Sequence, residues 1–88
     1  MSEIAPGSSR VRFIIRATGD VAPLASFLDA ARVDPGMTLV DLIGPSGAPH
    51  TAVIEMNQTT AHLLELRFRE TKQLTIEPDR PLSLFQQT

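Results

Sequence analysis

The chain has 88 residues, of which 42% are hydrophobic and 20% charged, and this composition indicates one small globular domain rather than a disordered segment. A net charge of −2 argues against nucleic acid as the main partner, because phosphate binding needs a basic face. The absence of cysteine excludes disulfides, thiolate metal sites and a cysteine nucleophile, and no apolar run approaches the ~20 residues that cross a bilayer.

The first ten residues are predicted to form a flexible leader. They lack the basic-then-apolar pattern of a signal peptide. As written, the sequence therefore predicts a cytoplasmic protein, and an extracellular location if the chain is excised from a secreted precursor.

The first two predicted elements are a strand and a helix. Residues 11–17 alternate in polarity, with Arg12, Ile14 and Arg16 on the outward side, as in a half-buried strand. Asp20 is placed to cap the following helix, which ends at the stop signal of residues 34–36. Apolar residues recur within it at helical spacing: Val21, Leu24, Phe27, Leu28 and Ala31.

A hairpin, a helix and a strand are predicted next. Residues 38–43 and 51–56 form strands joined by a turn rich in Gly and Pro. Asn57 is predicted to cap a helix from residue 59 to about residue 70, and residues 74–77 form a short last strand. The apolar residues of this helix are one stripe and two neighbours: Ala61, Leu64 and Phe68, with Leu63 and Leu66 beside them.

This order of elements predicts an α+β, ferredoxin-like split βαβ fold. A four-stranded antiparallel sheet would carry two helices on one face and leave the other face open. The domain would span residues 11–80. Residues 81–88 would form an extended C-terminal arm, because Pro81 has no backbone N–H and biases Arg80 toward extended geometry.

Motifs for enzyme chemistry are hard to find in the sequence. His62 and Glu65 lie three residues apart on the second predicted helix, but two ligands do not complete a zinc site, and a solvated helix face explains them. No nucleophile lies at motif spacing from a base. The chain is therefore predicted not to be an enzyme and to use no metal or cofactor.

Four short runs in the second half of the chain carry a resemblance. They are AVIEMN at 52–57, AHLL at 61–64, IEPDR at 76–80 and PLSLF at 81–85. Together they resemble the propeptide of subtilisin-like serine proteases and the free-standing propeptide-like inhibitors of the same family. The fold of that family is the split βαβ arrangement that the order of elements predicts.

The resemblance implies a partner, a subtilisin-like serine protease, and a set of contact residues. Glu77 and Asp79 match the Glu-X-Asp whose carboxylates cap two surface helices of the protease, since a carboxylate accepts free N–H groups at the positive end of a helix. The arm would lie in the substrate cleft like a product strand. Its protease-binding residues would be Leu82 and Phe85 in two apolar pockets, Ser83 and Leu84 along the strand, and Gln86 beyond the cleavage point.

Other interpretations of the same residues remain open. The chain would also suit a small ferredoxin-like module that dimerises or binds a regulatory partner through its open sheet. A metal or small-molecule binder using His50 and His62 is a third hypothesis. The apolar arm would in some of these cases return to its own core instead of entering a protease cleft.

Overall fold

The computed structural model describes residues 10–79, and these form the six predicted elements in the predicted order. Both strands of the hairpin have the predicted bounds, whereas the second helix and the last strand each extend slightly further than predicted. The elements are β1 (Val11–Ala17), α1 (Ala22–Arg32), β2 (Thr38–Ile43), β3 (Thr51–Met56), α2 (Gln58–Thr71) and β4 (Leu74–Pro78).

The four strands form one antiparallel sheet in the order β2-β3-β1-β4. Each helix therefore connects two strands that are separated in the sheet by a third strand. This is the topology of the ferredoxin-like split βαβ fold, and the predicted fold class is confirmed. β2 and β4 form the two edges, and β1 and β3 lie between them.

Apolar side chains from one face of the sheet and from both helices form a single core. The predicted inward residues Phe13 and Ile15 of β1 are buried. An edge-to-face contact between the rings of Phe27 and Phe68, with centroids 5.7 Å apart, links the two helices. The buried core residues are Phe13, Ile15, Leu24, Leu28, Ala31, Ala52, Ile54, Met56, Ala61, Leu64, Phe68 and Leu74.

The two helices begin differently. Asn57 caps α2 as predicted, and its side-chain oxygen accepts the N–H of Thr60 at 2.8 Å. The prediction of Asp20 as the cap of α1 is wrong by one residue, because the helix begins at Ala22 and Val21 takes the capping position. The Asp20 carboxylate still accepts the N–H of Ala22 at 3.0 Å, so the predicted interaction exists although the helix starts later.

The sheet face opposite the helices is the open face. Arg12, Ile14 and Arg16 of β1 lie on it, as predicted from their alternation with the core residues. On the neighbouring strands, Val53 and Glu77 both stand opposite Ile14. The open face therefore has an apolar centre, and charged side chains lie along β1 on either side of it.

The helix α2 ends in a left-handed turn. Lys72 has φ 60° and ψ 22°, and its N–H donates to the carbonyl oxygen of Phe68 at 2.7 Å. The hydroxyl of Thr18 donates to the carbonyl oxygen of Lys72 at 2.9 Å, which joins this turn to the end of β1. β4 starts two residues later, so the turn fixes where the last strand enters the sheet.

Candidate functional site

The carboxylate of Glu77 lies on the open face, on the edge strand β4. Its Oε2 atom accepts a hydrogen bond from Arg16 Nη1 at 2.7 Å, and both side chains are 53% exposed. In the strand register Glu77 stands opposite Ile14, so Arg16 reaches it diagonally across the sheet. The first carboxylate of the Glu-X-Asp motif is therefore accessible to a partner and already oriented by an intramolecular ion pair.

Asp79 follows the last residue of β4 and is exposed. Its N–H donates to the carbonyl oxygen of Arg12 at 2.8 Å, which continues the pairing of β4 with β1. Successive N–H groups of a strand point to opposite sides, so a donor at position 78 would point away from β1. Pro78 consequently occupies the strand without the loss of a ladder hydrogen bond.

Glu77 and Asp79 are two residues apart on an extended chain, so their side chains leave the same side of the strand. That side is the open face, the part of the sheet that the helices leave uncovered. The structure thus brings the two predicted carboxylates together at the end of an edge strand, roughly 7 Å apart along the backbone. Such a pair can accept N–H groups from the N-terminus of a partner helix.

A second ion pair lies on the open face. Arg12 Nε donates to Glu55 Oε2 at 3.2 Å, and these two residues stand directly opposite each other on β1 and β3. Ile14 and Val53 pair between the two ion pairs. Val53 is buried and Ile14 is half-buried, so the accessible surface at this part of the open face is mainly that of the charged side chains and suits a partner that makes polar contacts.

Sequence reasoning missed the two ion pairs of the open face, although a signal for them was present. Arg12 and Arg16 were predicted to point outward from β1. The split βαβ order places β1 between β3 and β4, where the outward positions include Glu55 and Glu77. Combining the alternation with the predicted strand order would have paired each arginine with a carboxylate on a neighbouring strand.

The predicted arm contacts lie outside the described residues. Leu82, Ser83, Leu84, Phe85 and Gln86 all follow residue 79, at which the described part of the chain ends. Their placement in a cleft stays a prediction.

The two histidines lie at different ends of the sheet. The carbonyl oxygen of His50 accepts the N–H of Ala17 at the end of β1. His62 instead lines a cavity of about 210 Å³ together with Phe13, four residues before Ala17 on the same strand. Since four strand residues span about 13 Å, this arrangement does not bring the histidines together as a single metal site would require.

The predicted His62–Glu65 pair is present but loose. His62 Nδ1 lies 4.0 Å from Glu65 Oε1, while Glu65 Oε2 accepts a hydrogen bond from Arg69 at 3.0 Å. Among residues 10–79, no cluster of three or more metal-ligating His, Asp or Glu side chains occurs. In the same part of the chain, neither helix combines the length and apolar character that a membrane span requires.

Comparison of the chain with protein-family models, curated proteins and solved structures gives no significant match.

Proposed function

We propose that this chain is a non-enzymatic inhibitor, or a chaperone-like propeptide, of a subtilisin-type serine protease. The open face would dock on the protease surface, and the C-terminal arm would lie in the substrate cleft. The observation that carries the proposal is the position of Glu77 and Asp79. Both project from the open face at the end of β4, immediately before the chain enters the apolar arm.

The geometry of β4 supports separate binding roles for the folded domain and the arm. Hydrogen bonds to β1 hold the strand as far as Asp79, so the backbone positions that carry the two carboxylates are fixed relative to the sheet. Carboxylates on a fixed strand can meet the N-terminal N–H groups of partner helices without the entropy cost of ordering the backbone. The arm can then supply the alternating side chains that fill pockets in an extended binding mode.

A second candidate function is a module that binds another protein through β2. This edge strand exposes the apolar side chains of Val40, Leu42 and Ile43. An exposed edge can add a strand from a partner. The irregularity in the pairing between Leu39 and Asp41 and the charge of Asp41 oppose such pairing, so we place this function second.

A binding measurement on the two carboxylates tests the first proposal. The partner is a subtilisin-type protease whose nucleophile is replaced by alanine, so that the arm is not digested. Glu77→Gln together with Asp79→Asn should weaken binding by roughly 1–3 kcal/mol, because two charge-assisted hydrogen-bond acceptors are lost. The free energy of unfolding should change by at most about 1 kcal/mol, since the Arg16–Glu77 pair is exposed.

The matched control removes one Asp and one Glu from the helices. Asp29→Asn together with Glu70→Gln makes the same change in net charge at exposed positions away from the open face. This control should bind like the parent. Equal weakening by the two double variants would assign the effect to net charge and contradict docking through Glu77 and Asp79.

A further inference from the structure

The hydrogen bond between Arg16 and Glu77 joins a central strand to the edge strand. Arg16 is on β1, which has a neighbouring strand on each side, whereas β4 has a neighbour on one side only in the sheet formed by residues 10–79. The donor, Arg16, therefore lies on the strand that is hydrogen-bonded to a neighbour on both sides. The short distance of 2.7 Å ties the free end of a long Glu side chain to that strand.

The bond uses one of the two carboxylate oxygens. Arg16 Nη1 approaches Oε2, and within residues 10–79 the other oxygen, Oε1, has no hydrogen-bond partner. A carboxylate offers about four lone-pair sites. Glu77 can therefore keep Arg16 on one oxygen and accept N–H groups of a partner on the other.

We infer that Arg16 is a positioning residue for protease docking: it holds the carboxylate of Glu77 in the orientation in which Oε1 meets the partner helix. This inference rests on the proposed function. A flexible Glu side chain must lose rotamer freedom when it binds, and a side chain that is already ordered loses less. Arg16 would thus raise affinity without touching the protease.

The role is specific to one of the two carboxylates. Arg12, which stands closest to Asp79 in the sheet, donates its side-chain bond to Glu55 instead. Asp79 has a shorter side chain that leaves directly from a hydrogen-bonded backbone position, so it needs less ordering. Of these two carboxylates, it is Glu77 that combines a long side chain with a guanidinium that orients it.

Electrostatic repulsion between Arg16 and the partner helix would act against the positioning effect, so the direction of the change in affinity distinguishes the two. The guanidinium of Arg16 is positive, as is the N-terminus of a helix, so its removal would strengthen binding if repulsion dominated. Arg16 is half exposed, and solvent and salt screen this repulsion. Ordering of Glu77 should therefore dominate, and loss of Arg16 should weaken binding.

The test compares the parent with Arg16→Gln, Arg16→Lys and Arg69→Gln for binding to the protease that lacks its nucleophile. Arg69→Gln is the control, because it breaks a similar exposed pair with Glu65 on α2, away from the open face. Arg16→Gln should weaken binding by roughly 2- to 10-fold, the cost of ordering one flexible side chain. Arg16→Lys should recover part of the loss, and Arg69→Gln should match the parent.

Two further measurements separate positioning from a general effect. In a chain that already carries Glu77→Gln, Arg16→Gln should cause no further loss of affinity. In the free chain, NMR couplings should show one dominant Glu77 side-chain rotamer in the parent and in Arg69→Gln, and several rotamers in Arg16→Gln.

The inference is overturned if Arg16→Gln binds as tightly as the parent or more tightly, or if it weakens binding equally in the Glu77→Gln background. A parent chain that does not bind the protease overturns the proposed function instead. In that case the rotamer populations of Glu77 in the free chain still decide whether Arg16 positions it.

Discussion

Asp79 donates its backbone N–H to the carbonyl oxygen of Arg12 at 2.8 Å, one residue beyond the end of β4. The pairing of β4 with β1 therefore reaches the second carboxylate of the Glu-X-Asp motif. Residues 82–88 begin three positions later, and none of the hydrogen bonds described above depends on them. This separation leads to a prediction about the arm.

Deletion of residues 82–88 should abolish protease inhibition and leave the fold intact. Circular dichroism should show the same helix and sheet content and a melting temperature close to that of the parent, because within residues 10–79 the sheet and both helices already share a core that runs from Phe13 to Leu74. If the arm instead packs on the core, the deletion would lower the melting temperature sharply. The free energy of unfolding would then fall by several kcal/mol, because a buried Phe and its neighbours are lost.

Phe85 provides a sharper test of the arm within the full chain. Phe85→Asp should remove most of the inhibition, because an apolar pocket cannot solvate a buried carboxylate. Phe85→Leu should retain most of it with a protease that accepts large apolar residues. Inhibition constants of the two variants measure the difference, and their melting temperatures serve as the control. Equal inhibition by Phe85→Asp and the parent would show that this side chain fills no pocket.

Gly44 is predicted to be essential for the β2–β3 hairpin. Its φ of +126° is a conformation that L side chains rarely adopt, and an added Cβ would lie 2.8 Å from His50 Cδ2 and 2.9 Å from the His50 backbone nitrogen. Gly44→Ala should cost about 2 kcal/mol or more in the free energy of unfolding, measured by denaturant titration.

Substitutions at two other glycines separate the two causes of that loss of stability, which are backbone strain and the close contact with His50. Gly47 has φ +83° but no atom within 4 Å of an added Cβ, so Gly47→Ala should show the backbone strain alone, about 1–2 kcal/mol. Gly19 has neither a positive φ nor a close neighbour, and Gly19→Ala should be nearly neutral. Equal losses for Gly44→Ala and Gly47→Ala would mean that the contact with His50 relaxes freely.

Lys72 is the opposite case, a non-glycine residue in a position that favours glycine. Its φ of 60° at the end of α2 is left-handed, and Gly would relieve the steric cost of the Cβ. Lys72→Gly should raise the free energy of unfolding by up to about 1 kcal/mol, since the greater freedom of Gly in the unfolded chain offsets part of the gain. A thermal melt measures it, and a clear loss of stability would contradict this explanation of the turn.

Local patterns predicted most of the fold. The alternation in residues 11–17, the hairpin turn and the Asn57 cap each involve neighbours in sequence, and each was found as predicted. The start of α1 differs because Val21 adopts a helical backbone before the helix proper, so Asp20 acts from one residue further out. The helix α2 ends in a left-handed turn at Lys72, and the residues around Lys72 include no Gly or Pro from which the turn could have been predicted.

The candidate site was only half predictable. Glu77 and Asp79 followed from a resemblance in a short motif, and their shared face followed from strand alternation. The Arg16–Glu77 hydrogen bond joins residues 61 positions apart, so it depends on the strand order and not on any local pattern. The same holds for Arg12 and Glu55, which are 43 positions apart.

The most direct test of the proposed function is a steady-state titration of the full chain into an active subtilisin-type protease while turnover of a small substrate is followed. The proposed function predicts competitive inhibition: the apparent KM rises with added chain, kcat stays constant, and the variant lacking residues 82–88 has no effect. Turnover that is unchanged by a large molar excess of the intact, folded chain would contradict it.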